Sequence, residues 1–118
     1  MTDTRPGWEW IGDHYWSGTQ SLNGVSIRVE ILVGSYCSEP TAHLDEGLAF
    51  LGAISRVDAC ASAELHRMGF ELAAWQLGNI GLFPGYDEYA SLEYRSDEGV
   101  VDVWFTKDGR FVDAEIVR

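Results

Sequence analysis

Strict alternation of apolar and polar positions marks both ends of this chain, and a helical spacing fills its middle. Val25, Ile27, Val29, Ile31 and Val33 alternate with Ser26, Arg28 and Glu30, the pattern of a strand with one buried face. Asn23-Gly24 precedes it and supplies the positive φ values that a two-residue hairpin turn demands. The earlier strand of that hairpin is Trp8 to Trp16, WEWIGDHYW, dense in aromatic residues, with a kink near Gly12 and an end at Ser17-Gly18. Gly34 to Pro40, GSYCSEP, has turn composition and closes the hairpin.

The middle reads as two helices. Thr41 after Pro40 caps the first, which places Leu44, Leu48, Leu51 and Ser55 on one face and Asp45 and Glu46 near its positive end. Ser55 and Asp58 have capping-box spacing, with Asp in place of Glu or Gln, and start the second helix. Its stripe is Ala61, Leu65, Met68, Leu72 and Trp75, and Gly78 is its C′ residue. Gly47, Gly52, Ala59, Ala63 and Gly69 would let the helices approach each other or a sheet, although glycine at 47 and 69 equally reads as a weak point in a helix. Gly78 to Tyr86, GNIGLFPGY, reads as an ordered crossing loop anchored by Leu82 and Phe83.

Alternation then returns, with Ala90, Leu92 and Tyr94 against Ser91, Glu93 and Arg95. In Val100 to Arg118, Asp108-Gly109 predicts a type I′ turn. Pairing outward from it sets Phe105 against Val112, Val103 against Ala114 and Val101 against Ile116 on one apolar face. The other face pairs Thr106 with Phe111, Trp104 with Asp113, Asp102 with Glu115 and Val100 with Val117. A turn at Glu98-Gly99 brings Leu92 to Phe105, Tyr94 to Val103 and Arg95 to Asp102. The predicted order is ββααβββ, one α+β domain over 1–118 with a single antiparallel sheet of about five strands and two helices on its apolar face.

Composition bounds what such a domain can do. A 46% hydrophobic share excludes a disordered chain despite the net charge of -11. The 19 acidic residues outnumber 8 basic ones, of which only Lys107 is a lysine. That balance repels nucleic acid and anionic membrane and steers a cationic partner inward, and it serves solubility as well. No secretory leader is legible before Trp8, and no run reaches the ~20 apolar residues of a spanning helix, so the expected location is the cytoplasm. Cys37 and Cys60 fit no metal-ligand spacing and read as free thiols.

Chemistry concentrates on the polar face of the C-terminal strands. Asp102 opposite Glu115 is a like-charge pair costing a few tenths to about 1 kcal/mol, which Arg95, with Arg28 on a neighbouring strand, would offset. Glu93, Asp102, Asp113 and Glu115, with Trp104 and Phe111 among them, form a candidate partner-binding surface that offers acids to Lys or Arg and aromatic rings for apolar contact. Paired carboxylates can also serve glycosidase chemistry, but that needs a cleft, which an open sheet face lacks. His14, His43 and His66 sit in no metal-binding spacing, Gly-x-Ser-x-Gly is absent, and neither GWEWIG nor GNIGLFPG has the context of a nucleotide loop. No catalytic residue, metal ligand or cofactor site is expected.

An acidic small chain with Trp16-Ser17-Gly18 closing an aromatic first strand, two central helices and a C-terminal Asp-Gly meander resembles the immunity proteins of bacterial polymorphic toxin and contact-dependent inhibition systems. The resemblance implies a protein without catalysis that binds and blocks a toxin domain, often a basic nuclease. The alternative is a small-ligand-binding domain or minor enzyme, with a pocket between the sheet and the 78–86 loop lined by Trp75, Phe83 and Tyr86.

Overall fold

The computed structural model describes residues 6–12, 14–33 and 40–117. It is α+β, as expected, but its sheet has seven strands: β1 (Glu9–Ile11), β2 (Tyr15–Leu22), β3 (Val25–Leu32), β4 (Gln76–Leu82), β5 (Ala90–Ser96), β6 (Gly99–Phe105) and β7 (Phe111–Val117). They lie side by side in chain order. Between β3 and β4 come α1 (Pro40–Leu51) and α2 (Ile54–Arg67). Because these helices carry the chain back along the sheet, β3 and β4 run parallel while the other neighbouring strands pair antiparallel. The sheet is therefore mixed.

The two extra strands have local causes. Gly12 adopts φ +57, so the aromatic stretch folds back on itself and Trp10 pairs with Trp16 across a hairpin instead of continuing through a kink. The segment read as a crossing loop is strand β4 in the centre of the sheet. Its glycines hide the strand signal because side chains from elsewhere cover them: a Cβ on Gly81 would lie 3.2 Å from the Phe83 ring, and one on Gly78 3.3 Å from the aliphatic part of Arg95. Ile80 and Leu82 of β4 are fully buried on the opposite face.

The helices sit on that buried face. Gly47 allows the closest approach, since a Cβ there would stand 2.6 Å from Ile31 Cδ1. Leu44, Phe50 and Leu51 of α1, with Ile54, Val57, Ala61 and Leu65 of α2, pack on Val29, Ile31, Ile80, Leu82, Leu92, Val101, Val103 and Phe105. Polar ties fix the layers: the Trp16 indole N–H donates to the Pro40 carbonyl at 2.9 Å, and the Tyr94 hydroxyl donates to Asp58 at 2.5 Å. Burial, then the Asp58 bond, holds the Tyr94 proton far above its ordinary range. Helix α1 begins at Pro40 rather than behind a Thr41 cap, and the expected turn at 34–39, with Cys37, lies outside the described residues. The Cys60 thiol is free.

Helix α2 departs from expectation at both ends. It starts at Ile54 with Ala53 at the N-cap, so Ser55 and Asp58 form no capping box; Asp58 is turned to Tyr94 instead. It ends nine residues earlier than a Gly78 stop would put it, because Gly69 at φ +93 closes it: the Gly69 N–H donates to His66 O and the Phe70 N–H to Leu65 O, both at 3.0 Å. Met68 and Leu72 accordingly leave the stripe and are exposed, and Trp75 reaches the core from an extended segment.

The hairpins differ in their turns. Asn23-Gly24 turns as expected, with both φ positive and Leu22 paired to Val25. At the last hairpin only Gly109 has positive φ; its N–H and the Arg110 N–H both bond to Thr106, and the Thr106 N–H donates to Arg110 O at 2.8 Å. The loop is thus three residues long rather than a type I′ turn, which shifts Phe105 onto Phe111. A β-bulge at the next step restores the expected pairs from Trp104–Asp113 to Val100–Val117. Between β5 and β6 the turn is Asp97-Glu98, so Leu92 pairs with Val103 and Glu93 with Asp102.

Candidate functional site: the open sheet face

Both helices occupy one side of the sheet, and among the described residues no helix covers the other. Alternation along each strand places Arg28, Glu30, Glu93, Arg95, Asp102, Trp104, Asp113 and Glu115 on that open side. The altered β5–β6 register has a direct electrostatic result. Asp102 is flanked by Glu93 on β5 and Glu115 on β7, three carboxylates abreast, where Arg95 had been expected beside it. Arg95 lies one step along and pairs with Glu93, Nε to Oε1 at 2.6 Å, while Arg28 pairs with Glu30 at 3.4 Å. Neither arginine bonds Asp102.

Asp102 is therefore the strained member. Its Oδ1 is buried without a hydrogen-bond partner. Burial, then the charges of Glu93 and Glu115, push its carboxyl above the usual range. A group whose folded pKa is raised supports stability below its unfolded value and withdraws that support as pH rises through the folded one. Asp102→Asn is thus expected to be more stable than the native chain at pH 7, by roughly 0.2–1 kcal/mol for relief of cross-strand like charges. The difference should shrink as pH falls through the raised value and be gone below the ordinary carboxylate range. Urea midpoints for both forms at pH 7 and pH 3 check this; a variant less stable at pH 7 would contradict the account.

The other expected surface residues divide. Trp104 is half-buried on the open face and packs against Phe83, ring centroids 5.5 Å apart and tilted by 41°. Asp113 and Glu115 are exposed beside it on β7. Asp113 accepts the Ala114 N–H at 2.8 Å. Phe111 does not share this face. The three-residue loop turns it to the core side, edge-on to Phe105 at 6.2 Å.

A concavity of about 650 Å3 adjoins Trp104, lined also by Leu32, Phe83, Tyr86, Asp87, Glu88 and His14. Phe83 and Tyr86 line it as expected, but Trp75 does not; it lies at the other end of β4 against Phe70. Among the described residues no group of histidine, cysteine and carboxylate side chains is placed to hold a metal ion, and no helix is long and apolar enough to cross a membrane.

The fold and this face define a two-layer α+β protein with one sheet surface left open, acidic along one row and aromatic beside it. Compared with protein-family models, curated proteins and solved structures, the chain matches none.

Proposed function

We propose that this chain is an immunity-type inhibitor that works in the cytoplasm by binding a basic bacterial toxin domain on its open sheet face. The observation that carries the reading is the carboxylate row Glu93, Asp102 and Glu115, next to Trp104 and backed by a rigid sheet. Keeping three like charges abreast costs folding stability, and a cationic partner converts that cost into attraction. The net charge of -11 adds long-range steering of a basic protein.

The test looks for a basic toxin domain encoded beside this gene and measures its association with the chain by stopped flow at two salt concentrations. The triple variant Glu93→Gln, Asp102→Asn, Glu115→Gln is expected to associate at least about tenfold more slowly at low salt and with a flatter salt dependence. Binding untouched by the triple variant, or no basic partner encoded nearby, would sink the reading. A small-ligand site is the second reading, favoured by the concavity beside Trp104, whose volume lies in the range of ligand pockets.

A further inference from the structure

The concavity at the end of β4 joins apolar walls to acidic side chains. Its walls are apolar and aromatic: Leu32, Phe83, Trp104 and the rim residue Tyr86, which is 71% exposed. Asp87 and Glu88, exposed on the same loop, are its acidic lining residues, beside His14, Val33 and Pro84. None of the described residues lining it is lysine or arginine.

The loop that carries Tyr86, Asp87 and Glu88 is fastened at its base. The Tyr86 N–H donates to Phe83 O at 3.2 Å, the Phe83 N–H to Tyr89 O at 2.7 Å, and the Tyr89 N–H to Phe105 O at 2.9 Å. The Pro84-Gly85 corner, with Gly85 at φ +91, suits the tight turn that aims Tyr86 at the mouth. The ring walls are therefore placed before any ligand arrives, which lowers the ordering cost of binding.

Anions are repelled by this rim, and a neutral apolar group would leave its carboxylates without gain. A flat cation on an aliphatic stem satisfies both walls: it lies against ring faces and presents N–H groups to the acids. Guanidinium fits better than ammonium, because it is planar, stacks on aromatic rings and is weakly hydrated. We propose that the concavity is an anchor pocket for an arginine side chain of the protein partner. The inference rests on the reading of this face as the surface for a basic protein and adds the residue type that it selects.

The test titrates the full chain with N-acetyl-arginine methylamide and with N-acetyl-citrulline methylamide, a neutral isostere of the same shape, followed by NMR. The arginine compound is expected to shift the Trp104 indole N–H, assigned through Trp104→Phe, and to bind about three- to thirtyfold more tightly than the citrulline compound. Tyr86→Leu, at a position too exposed to disturb folding, and the pair Asp87→Asn, Glu88→Gln should each weaken arginine more than citrulline. Equal affinities, or shifts confined to the Glu93, Asp102 and Glu115 row, would overturn the pocket. A basic domain that binds the native chain and Trp104→Leu alike overturns the pocket and leaves the inhibitor reading standing. Selective arginine binding with no basic domain bound does the reverse.

Discussion

Replacing Phe105 by alanine is expected to lower the unfolding free energy by about 3–5 kcal/mol. Phe105 is 0% exposed and lies on β6 between Ala90 of β5 and Phe111 of β7. Ala90 is too small to fill the space, and Phe111 meets the ring edge-on from a position fixed by the bulge. Nor can the helices settle into the hole. Asp58 is tied to Tyr94, and Lys107 of the adjoining loop reaches Glu46 of α1 at 2.6 Å. Against a typical total of roughly 5–15 kcal/mol, the loss is a large fraction. Urea unfolding should show a lower midpoint at unchanged slope. A loss below about 1 kcal/mol would mean that the site collapses freely and that Phe105 is not central to the core.

Gly47→Leu is expected to cost about 1–3 kcal/mol, although it replaces the poorer helix former by a good one. The gain in helix propensity, up to about 1 kcal/mol, favours the variant. Sterics oppose it and win. A Cβ at 47 would stand 2.6 Å from Ile31 Cδ1 and 3.2 Å from Leu82 Cδ1, and both side chains are fully buried. The rest of a leucine would lift α1 from the sheet. Ala49→Leu, at an exposed position of the same helix, is the control and should leave the melting temperature nearly unchanged. If Gly47→Leu melted with the control, the close approach of helix and sheet would be disproved.

Much of the architecture was legible because a period of two survives errors of register. The alternation of β3, β5 and β6 named the buried face correctly at Val29, Ile31, Leu92, Val101, Val103 and Phe105 even where turns differed, whereas Val112 and Ile116 of β7, expected on that face, are exposed. A slip of two residues keeps each side chain on its face, so the apolar pattern could not distinguish a turn at Glu98-Gly99 from the observed one at Asp97-Glu98. The first would also have set Arg95 beside Asp102. The protein adopts the other and bears the repulsion. At the final hairpin, Asp-Gly serves two turn types, and only the Thr106 side chain, which accepts the Arg110 N–H at 3.1 Å, hinted at the longer loop.

The elements that the apolar pattern hid are those with glycine set inside an apolar run. Gly78 and Gly81 argue against a strand until the side chains of Arg95 and Phe83 are seen lying over them. Met68, Leu72 and Trp75 continue a helical stripe past Gly69, which masks that glycine's role as the end of the helix. For the candidate surface, five of the six named residues share the open face, and the misjudged loop removed Phe111. The concavity had one available signal: Leu32 and Trp104 are apolar at positions where alternation calls for polar residues.

The parallel seam between β3 and β4 bears on how the chain assembles. Each antiparallel pairing in the described sheet joins strands that follow one another through a short connection, whereas Arg28 finds Asn79 only after both helices have been threaded. Loop-closure entropy is concentrated at that one junction, so the two meanders can zip locally before they meet. Until they do, β3 and β4 are both raw edges carrying Val29, Ile31, Ile80 and Leu82. Strands whose apolar side chains are fully covered in the finished molecule are thus sticky surfaces during synthesis, and crowding of nascent copies is where self-association would begin.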